Sequence, residues 1–544
     1  MWAKQTRISA TAGKALNCGD ANSHETPTME NALGRLLPEF LSGYGNVAPF
    51  TGTFELPPVF ERAAVRVTPV PPSGEKRLPD IETALVECGV HHGATLSFHH
   101  HLRNGDRVLN MVLEVAAKMG LRGLRIAASS IFPVHSPLVE HFASGVVESV
   151  CTSYVAGPVA DAISSGKLRN IAILQTHGGR ARAIEAGELL IDIAFIAAPT
   201  ADDYGNINGV DGPSACGTLG YAQVDAECAR RVVAVTDNLV PYPACPAEIT
   251  QERVDYVVAV PSIGDASQIV SGTTRVTQDP VGLGIASTAS KVLDAGGLIK
   301  DGFSFQTGAG GVSLAVAKYV RELMKDRKIQ GSFAAGGVTQ QIVSMLEEGL
   351  FRSIFDVQCF DLDAVRSYRE NPRHQRMSAS LYANPCNRGP VVNRLDSMIL
   401  GAAEIDLDFN VNVSTGSDGS LLGGSGGHSD TAAGARIALV TTRLKAGAYP
   451  KIVEKVTTVT TPGASIDVVV TEAGVAVNPG RPDLTTRLVT AGLNVVPIQR
   501  LYDLANDGAE SRIRRKDHGG GSDRRVVAVQ EYRDGTVIDV LRQV

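Results

Sequence analysis

The alternation of hydrophobic and polar positions singles out Phe303 to Val320, FSFQTGAGGVSLAVAKYV. Phe303 and Phe305 alternate with Ser304 and Gln306, the period of a strand with one buried face, and Val312, Val316, Tyr319 and Leu323 then recur at helical spacing. Between them Gly308, Gly310 and Gly311 supply a turn. Glycines let the backbone approach a ligand closely, and the first turn of the following helix offers unpaired N–H groups to an anion or a developing oxyanion. A plain strand-to-helix connection is the competing reading. A dinucleotide fingerprint wants a third glycine where Ser313 stands, and no GxxxxGK phosphate loop occurs.

The same order of signals recurs upstream. Ala94 to Gly120 predicts a strand through Leu96 and Phe98, a polar loop, and a helix with Val108, Met111, Val115 and Met119 on its apolar face, capped by Asp106 and ended by Gly120. PLVEHFASGVVESV, from Pro137, echoes QIVSMLEEGLFRSI, from Gln341: each reads as a helix ended by glycine and then a strand. Two related α/β domains with mostly parallel sheets follow. The boundaries read as a disordered tail over 1–28 with Met29 as an alternative start, a Pro- and Gly-punctuated wrapping segment over 29–80, a first domain over 81–295 and a second over 296–544. Further strands are predicted at Ile171–Gln175, Ile191–Ala197, Val232–Thr236, Val254–Val260, Ile437–Thr441, Ser465–Val470 and Arg525–Gln530. Asp202 to Gly220 reads as a long functional loop, and Tyr532 to Thr536 as an Asp-Gly hairpin turn.

At 544 residues the chain is too long for one core. Its net charge of −6 leaves no basic footprint for nucleic acid, so an anionic ligand must be met by local clusters. The eight cysteines are scattered without a CxxC pair and read as reduced thiols of a cytoplasmic protein. No apolar run reaches the length of a membrane span, and no apolar h-region marks a signal peptide.

His99-His100-His101 with Arg103 invites a metal reading, but strand side chains alternate and no acidic or thiol partner stands at zinc spacing. The preferred reading is a cationic pocket for carboxylates, with Arg103 as the bidentate partner and at least one histidine left structural. His177 and Arg180, beside two glycines, read as anion contacts or as surface residues of a loop. Gly423, Gly424, Gly426 and Gly427 precede His428, Ser429 and Asp430, for which helix capping and a ligand role weigh equally. GxSxG occurs only as Gly423 to Gly427, not at a predicted strand-to-helix turn, so no hydrolase nucleophile elbow is read. These residues by themselves describe a two-domain α/β enzyme that binds an anionic acyl ligand.

GATLSFHHHLRNGD, SFQTGAGGVSLAVA, EIDLDFNVNVSTGSDG and GGSGGHSDTAAGA, in this order, resemble the citrate lyase α-subunit family and, more widely, the CoA-transferase superfamily. The resemblance runs from about Leu78 to the C-terminus. It implies the CoA-transferase-like fold and a transferase that exchanges acetate for citrate on an acyl-carrier-protein or CoA thioester, giving citryl thioester for a separate lyase subunit. The implied partners are that β subunit and a γ acyl carrier protein in an oligomeric complex, with citrate and acetate as small ligands. The chain itself would bind no metal, nucleic acid, membrane or cofactor, acting instead on the CoA-like phosphopantetheine-type group of its partner. On this reading Gly310, Gly311, Gly426 and Gly427 give backbone oxyanion donors, and His99, His100, Arg103, His177, Arg180, Gly308, Asn410, Asn412, Gly424, Ser425 and His428 bind substrate. Better-known CoA-transferases use a glutamate nucleophile where Ile329 to Gly337 here has no carboxylate, which predicts transfer in a ternary complex without a covalent glutamyl thioester. A citramalate lyase transferase subunit and a non-catalytic scaffold subunit are the alternatives. A nicotinamide-dependent oxidoreductase is disfavoured by Ser313.

Overall fold

The computed structural model describes residues 27–544 except 56, 58–59, 63–68, 73, 271–274 and 508–523. The stretch expected to be disordered therefore lies, up to residue 26, outside the described residues.

Two sheets share one winding. In the first, the parallel strands Ala172–Leu174, Val147–Thr152, Leu124–Ala128, Thr95–Phe98, Ile193–Ala198, Arg231–Thr236 and Tyr256–Ala259 lie side by side in that order. In the second, His374–Arg376, Phe351–Cys359, Gly331–Val338, Ser304–Thr307, Ser397–Gly401, Ile437–Thr441 and Val468–Thr471 repeat it. Each half steps outward from its first core strand to one edge and then builds the other side, and helices connect most successive strands, the requirement for parallel pairing. The echo of Pro137 and Gln341 becomes a pair of helices, Leu138–Ser144 and Gln340–Glu347, followed by Gly145 and Gly349, both at φ 74°. That left-handed conformation costs glycine nothing and ends both helices.

Three sequence expectations change in detail. The helix Val108–Lys118 receives its Asp106 cap, Val108 N–H donating to Oδ1 at 3.1 Å, but its buried face is Val108, Leu109, Val112, Leu113 and Ala116, with Met111, Val115 and Met119 at its margin. The hairpin Val526–Glu531 and Val537–Arg542 pairs in parallel with Ala172–Leu174, so these residues extend the first sheet although chain order put them with the second. Its alternating valines cover an edge that would otherwise expose unpaired backbone. Segment 202–220 is only partly irregular: Thr200–Asp202 pairs with Ile207–Asn208 and Leu239–Val240, and the rest crosses to the second sheet, where Gly217 leaves room for Cys359 and Gly220 for Met377.

The N-terminal segment lies on the same outer hairpin. Leu37, Leu41 and Val47 pack with Val526, Val529 and Val537, and Phe50 meets Tyr532 edge-on at 5.0 Å. A single buried cluster runs from Ile81 to Leu541 through both sheets, so the halves share one core at their junction.

Candidate active site at the junction of the sheets

The carboxyl ends of parallel strands are where open α/β sheets leave a crevice, because the chain departs to opposite sides there. Here the two sheets present these ends to each other. Gln358, at the end of Phe351–Cys359, donates its Nε2–H to the carbonyl of His100, just past Thr95–Phe98, at 2.8 Å. From the second half, Gly423 to Gly427 crosses the first sheet's strand ends: Gly426 N–H donates to Ser153 O at 3.0 Å and His177 N–H to Gly426 O at 2.8 Å. Asp430 completes the seam, accepting Thr176 Oγ1–H and Gly178 N–H, both at 2.9 Å. Burial pushes its carboxyl up to about 6 against the opposing pull of the Arg533 charge and the bonds across the seam.

The first sheet contributes a packed group of rings. His100 and His177 stack at 6.0 Å, each touches Tyr221 (4.7 and 4.6 Å), and His101 lies 6.0 Å from the same tyrosine. His177 is the first residue of the helix His177–Glu185, whose start is fixed by Thr176 Oγ1 accepting from Gly179 N at 2.8 Å. His100 Nδ1 meets Ser129 Oγ at 2.6 Å, but both ring nitrogens of His99 and His101, and Nδ1 of His177, are buried without a hydrogen-bond partner among the described residues. Buried polar atoms are rarely left so, and a cluster of them marks a place built for something else to bond.

The cationic pocket expected from the sequence is corrected in one respect: its imidazoles rest neutral. Burial pushes His177 down to about 3 and His99 to about 4, the Arg180 charge adding to both; burial also lowers His100, with His177 adding to it, and His101, with His99 adding to it. Positive charge comes from Arg103, buried between the rings of Phe132 and Phe360 at 4.9 and 5.1 Å. Burial pulls even its guanidinium down to about 10.

Several expected ligands are committed elsewhere. Arg180 forms a fork with Asp225, Nη1 to Oδ2 at 2.9 Å and Nη2 to Oδ1 at 2.7 Å, and also reaches Ala127 O and Ser97 Oγ, so it is a structural ion pair and not an anion contact. Asp225 also lies 3.9 Å from His99 Nδ1. His428 is held at both nitrogens, by Thr461 Oγ1 at 2.7 Å and Gly401 O at 2.9 Å. Asn410 bonds Asp406 and Gly463, and Asn412 bonds Glu404 and the turn through Thr415. The N–H groups of Gly426 and Gly308 are spent on Ser153 O and Ile399 O. Ser425 Oγ pairs with Ser429 Oγ at 3.0 Å. By contrast the N–H groups of Gly424, Ser425 and Gly427, and those of Gly310 and Gly311 at the start of the helix Gly311–Arg327, make no hydrogen bond to a described residue. Gly311 packs beside Arg275 and Thr277, and no described contact carries Gly310 or Gly311 to the histidines.

Sequence reasoning passed over Tyr221, Tyr382 and Gln306. Gln306 Nε2–H donates to Tyr382 Oη at 2.7 Å, and that oxygen lies 2.5 Å from where a Cβ on Gly427 would stand. A tyrosine following a glycine run, and the polar face of a strand ending at a glycine loop, were the signals available.

This geometry can be set beside known proteins. The family model Citrate lyase, alpha subunit (CitF) matches residues 75–544. The chain belongs to the citrate lyase α-subunit family. It is 47% identical over 466 residues to the citrate lyase alpha chain of Klebsiella pneumoniae, spanning 85% of this chain and 90% of that one. The structure of the α subunit of citrate lyase from Streptococcus mutans, in complex with citrate, superposes with a TM-score of 0.89 at 45% identity, covering 95% of this chain and all of that one. A 4-hydroxybutyrate CoA-transferase from Porphyromonas gingivalis shares the fold, with a TM-score of 0.51 at 16% identity over 80% of this chain and 98% of that one. As a citrate lyase α chain it is a transferase subunit on the CoA-transferase-like fold. Among the described residues no helix is long and apolar enough to cross a membrane.

Proposed function

We propose that this junction exchanges acetate for citrate on the thioester of an acyl-carrier-protein prosthetic arm, in a complex with the lyase and carrier subunits, in the cytoplasm. The observation that carries the reading is the set of buried imidazoles with unfilled nitrogens meeting a glycine segment in which the N–H groups of Gly424, Ser425 and Gly427 make no hydrogen bond to a described residue. Citrate carries three carboxylates; Arg103 with His100, His101 and His177 supplies donors for them, and the N–H groups of Ser425 and Gly427 supply donors for an oxyanion. A citrate carboxylate oxygen adds to the acetyl carbonyl, the carbonyl π pair moves onto oxygen, and collapse expels the thiolate to leave a mixed anhydride. The thiolate then adds to the citryl carbonyl and acetate departs. One thioester replaces another, so no net proton is consumed. Mass spectrometry of the products of acetyl-CoA with citrate, and separately with citramalate, decides the acid. If no acetate is released from either, the scaffold reading replaces this one.

The strand Gly331–Val338 carries no carboxylate, so the step proceeds without an enzyme-bound acyl glutamate. Borohydride or hydroxylamine after incubation with acyl-CoA should therefore leave every glutamate unmodified by peptide mass; one labelled glutamate would replace this route with a covalent one.

Citrate binding should draw protons from solvent. The charged groups acting on the four imidazoles are Arg103, Arg180, Asp225 and Asp106, Tyr221 packs against three of them, and burial keeps the rings neutral when no anion is bound. A bound carboxylate favours the charged ring and raises its pKa, so the complex holds more protons than the free protein and affinity rises as pH falls. Calorimetry in buffers of different ionisation enthalpy, in a range where citrate is fully ionised, should return net uptake of at least about half a proton; zero uptake would mean that the rings stay neutral donors.

A further inference from the structure

Tyr382 and Gln306 form a polar pair that neither the glycine loops nor the histidines require. Tyr382 is buried, and its hydroxyl oxygen accepts from Gln306 while the hydroxyl hydrogen has no acceptor among the described residues. Beside the same oxygen stands Gly427, where any side chain would collide. Gln306 is held in turn by Gly336, whose φ of 102° and missing side chain open the space the amide occupies, at a bulge where Gly336 and Gly337 face Asp356 and Gln358 with Val357 squeezed out of register. Bulges re-aim side chains in this way. Gln306 Oε1 is buried and without a partner. His177 Nε2 lies 3.4 Å from the Cβ position of Gly426, so the two consecutive glycines are flanked by His177, at the start of one helix, and Tyr382, in the helix Ala379–Ala383.

We infer that Tyr382 is a further catalytic residue of the exchange, donating its O–H to the oxyanion of the tetrahedral adduct beside Gly427, with Gln306 as the positioning residue that fixes the hydroxyl's orientation. The inference rests on the exchange reading above. The step needs no proton transfer: the oxygen that gains the π electron pair accepts a hydrogen bond and loses it when the carbonyl re-forms. Burial raises the phenol further above its usual range, so it remains a neutral donor throughout. Gln306 donating to the oxygen directs the hydroxyl hydrogen away from itself and toward the glycine turn.

Tyr382→Phe removes only the donor, and kcat for acetate release from acetyl-CoA and citrate should fall about 10²-fold to 10³-fold while KM for citrate stays within about twofold. Gln306→Glu should give a similar loss, because a carboxylate takes the hydroxyl hydrogen for itself. 3-Fluorotyrosine at position 382 keeps the donor and should restore activity. A purely structural hydroxyl would instead show kcat within about threefold of the parent in Tyr382→Phe, or losses that follow a lowered Tm, and either result overturns the proposal. The 19F resonance of the fluorotyrosine protein, recorded with citrate and CoA present together, reads contact without turnover. A shift is expected, and an unmoved resonance overturns the role of Tyr382 even if the parent enzyme proves inactive in exchange, whereas an inactive parent with a moved resonance overturns only the exchange.

Discussion

Asp225→Asn should destabilise the protein by roughly 3–5 kcal/mol, because it keeps the shape of the side chain and strands a buried guanidinium. Asp225 and Arg180 are both buried, and Asp225 gives its carboxylate to Arg180 at two points and to Ser97. Exposed ion pairs such as Lys118 with Glu114 contribute little, since water and salt screen them. The buried pair differs in that no solvent replaces a lost partner. The loss should appear as a lowered urea midpoint at unchanged slope, and the double variant Asp225→Leu with Arg180→Met should recover most of it, since removing both charges removes the uncompensated one. The pair also anchors the helix that begins at His177, so the single variant should lose exchange activity before it loses secondary structure. A loss under about 1 kcal/mol would show that Arg180 is accessible to water, and would return it to the anion site in which its neighbouring glycines first suggested it.

That contrast explains what the amino-acid pattern discloses and what it does not. Phe303 to Val320 gives the predicted strand, Ser304–Thr307, and helix, Gly311–Arg327, but the strand is buried on both faces and the helix buries Leu314, Val316, Ala317, Val320 and Met324 with Val312, Tyr319 and Leu323 at its margin, so the pattern discloses the elements and not how deeply the fold encloses them. The echo between halves is local, and it fixes the repeated strand order. Hydrogen-bond commitments are long-range and leave no periodic trace. Arg180 reads as a free cation until Asp225 is brought to it, His428 until Thr461 is, and Gly426 as an open donor until Ser153 O receives it. The last hairpin belongs to the first sheet through a ladder with Ala172–Leu174, a pairing that depends on which edge is vacant. Tyr221, Tyr382 and Gln306 were hidden for the opposite reason: each stands where an ordinary core or strand residue would, and only the neighbours distinguish them.

Arg103→Lys should raise KM for citrate about 10²-fold with kcat changed only a few-fold, which separates the shape of the cation from its charge. Arg103 sits at φ 52° on the turn Arg103–Gly105, and its guanidinium lies against Phe132 from the first half and Phe360 from the second. A flat, weakly hydrated cation suits that slot, whereas an ammonium must either give up its water or withdraw from the rings. Losing a charge-assisted, two-point contact to a carboxylate costs about 2–3 kcal/mol, and each 1.4 kcal/mol is about tenfold in affinity. Arg103→Met removes the charge as well, and the site then has to balance the same tricarboxylate with its imidazoles alone. Proton uptake on citrate binding should therefore rise in Arg103→Met above that of the parent, and affinity should depend more steeply on pH. If KM is unmoved in Arg103→Lys and uptake is unmoved in Arg103→Met, the carboxylates are held by neutral donors, and Arg103 serves to join the two halves through its flanking rings.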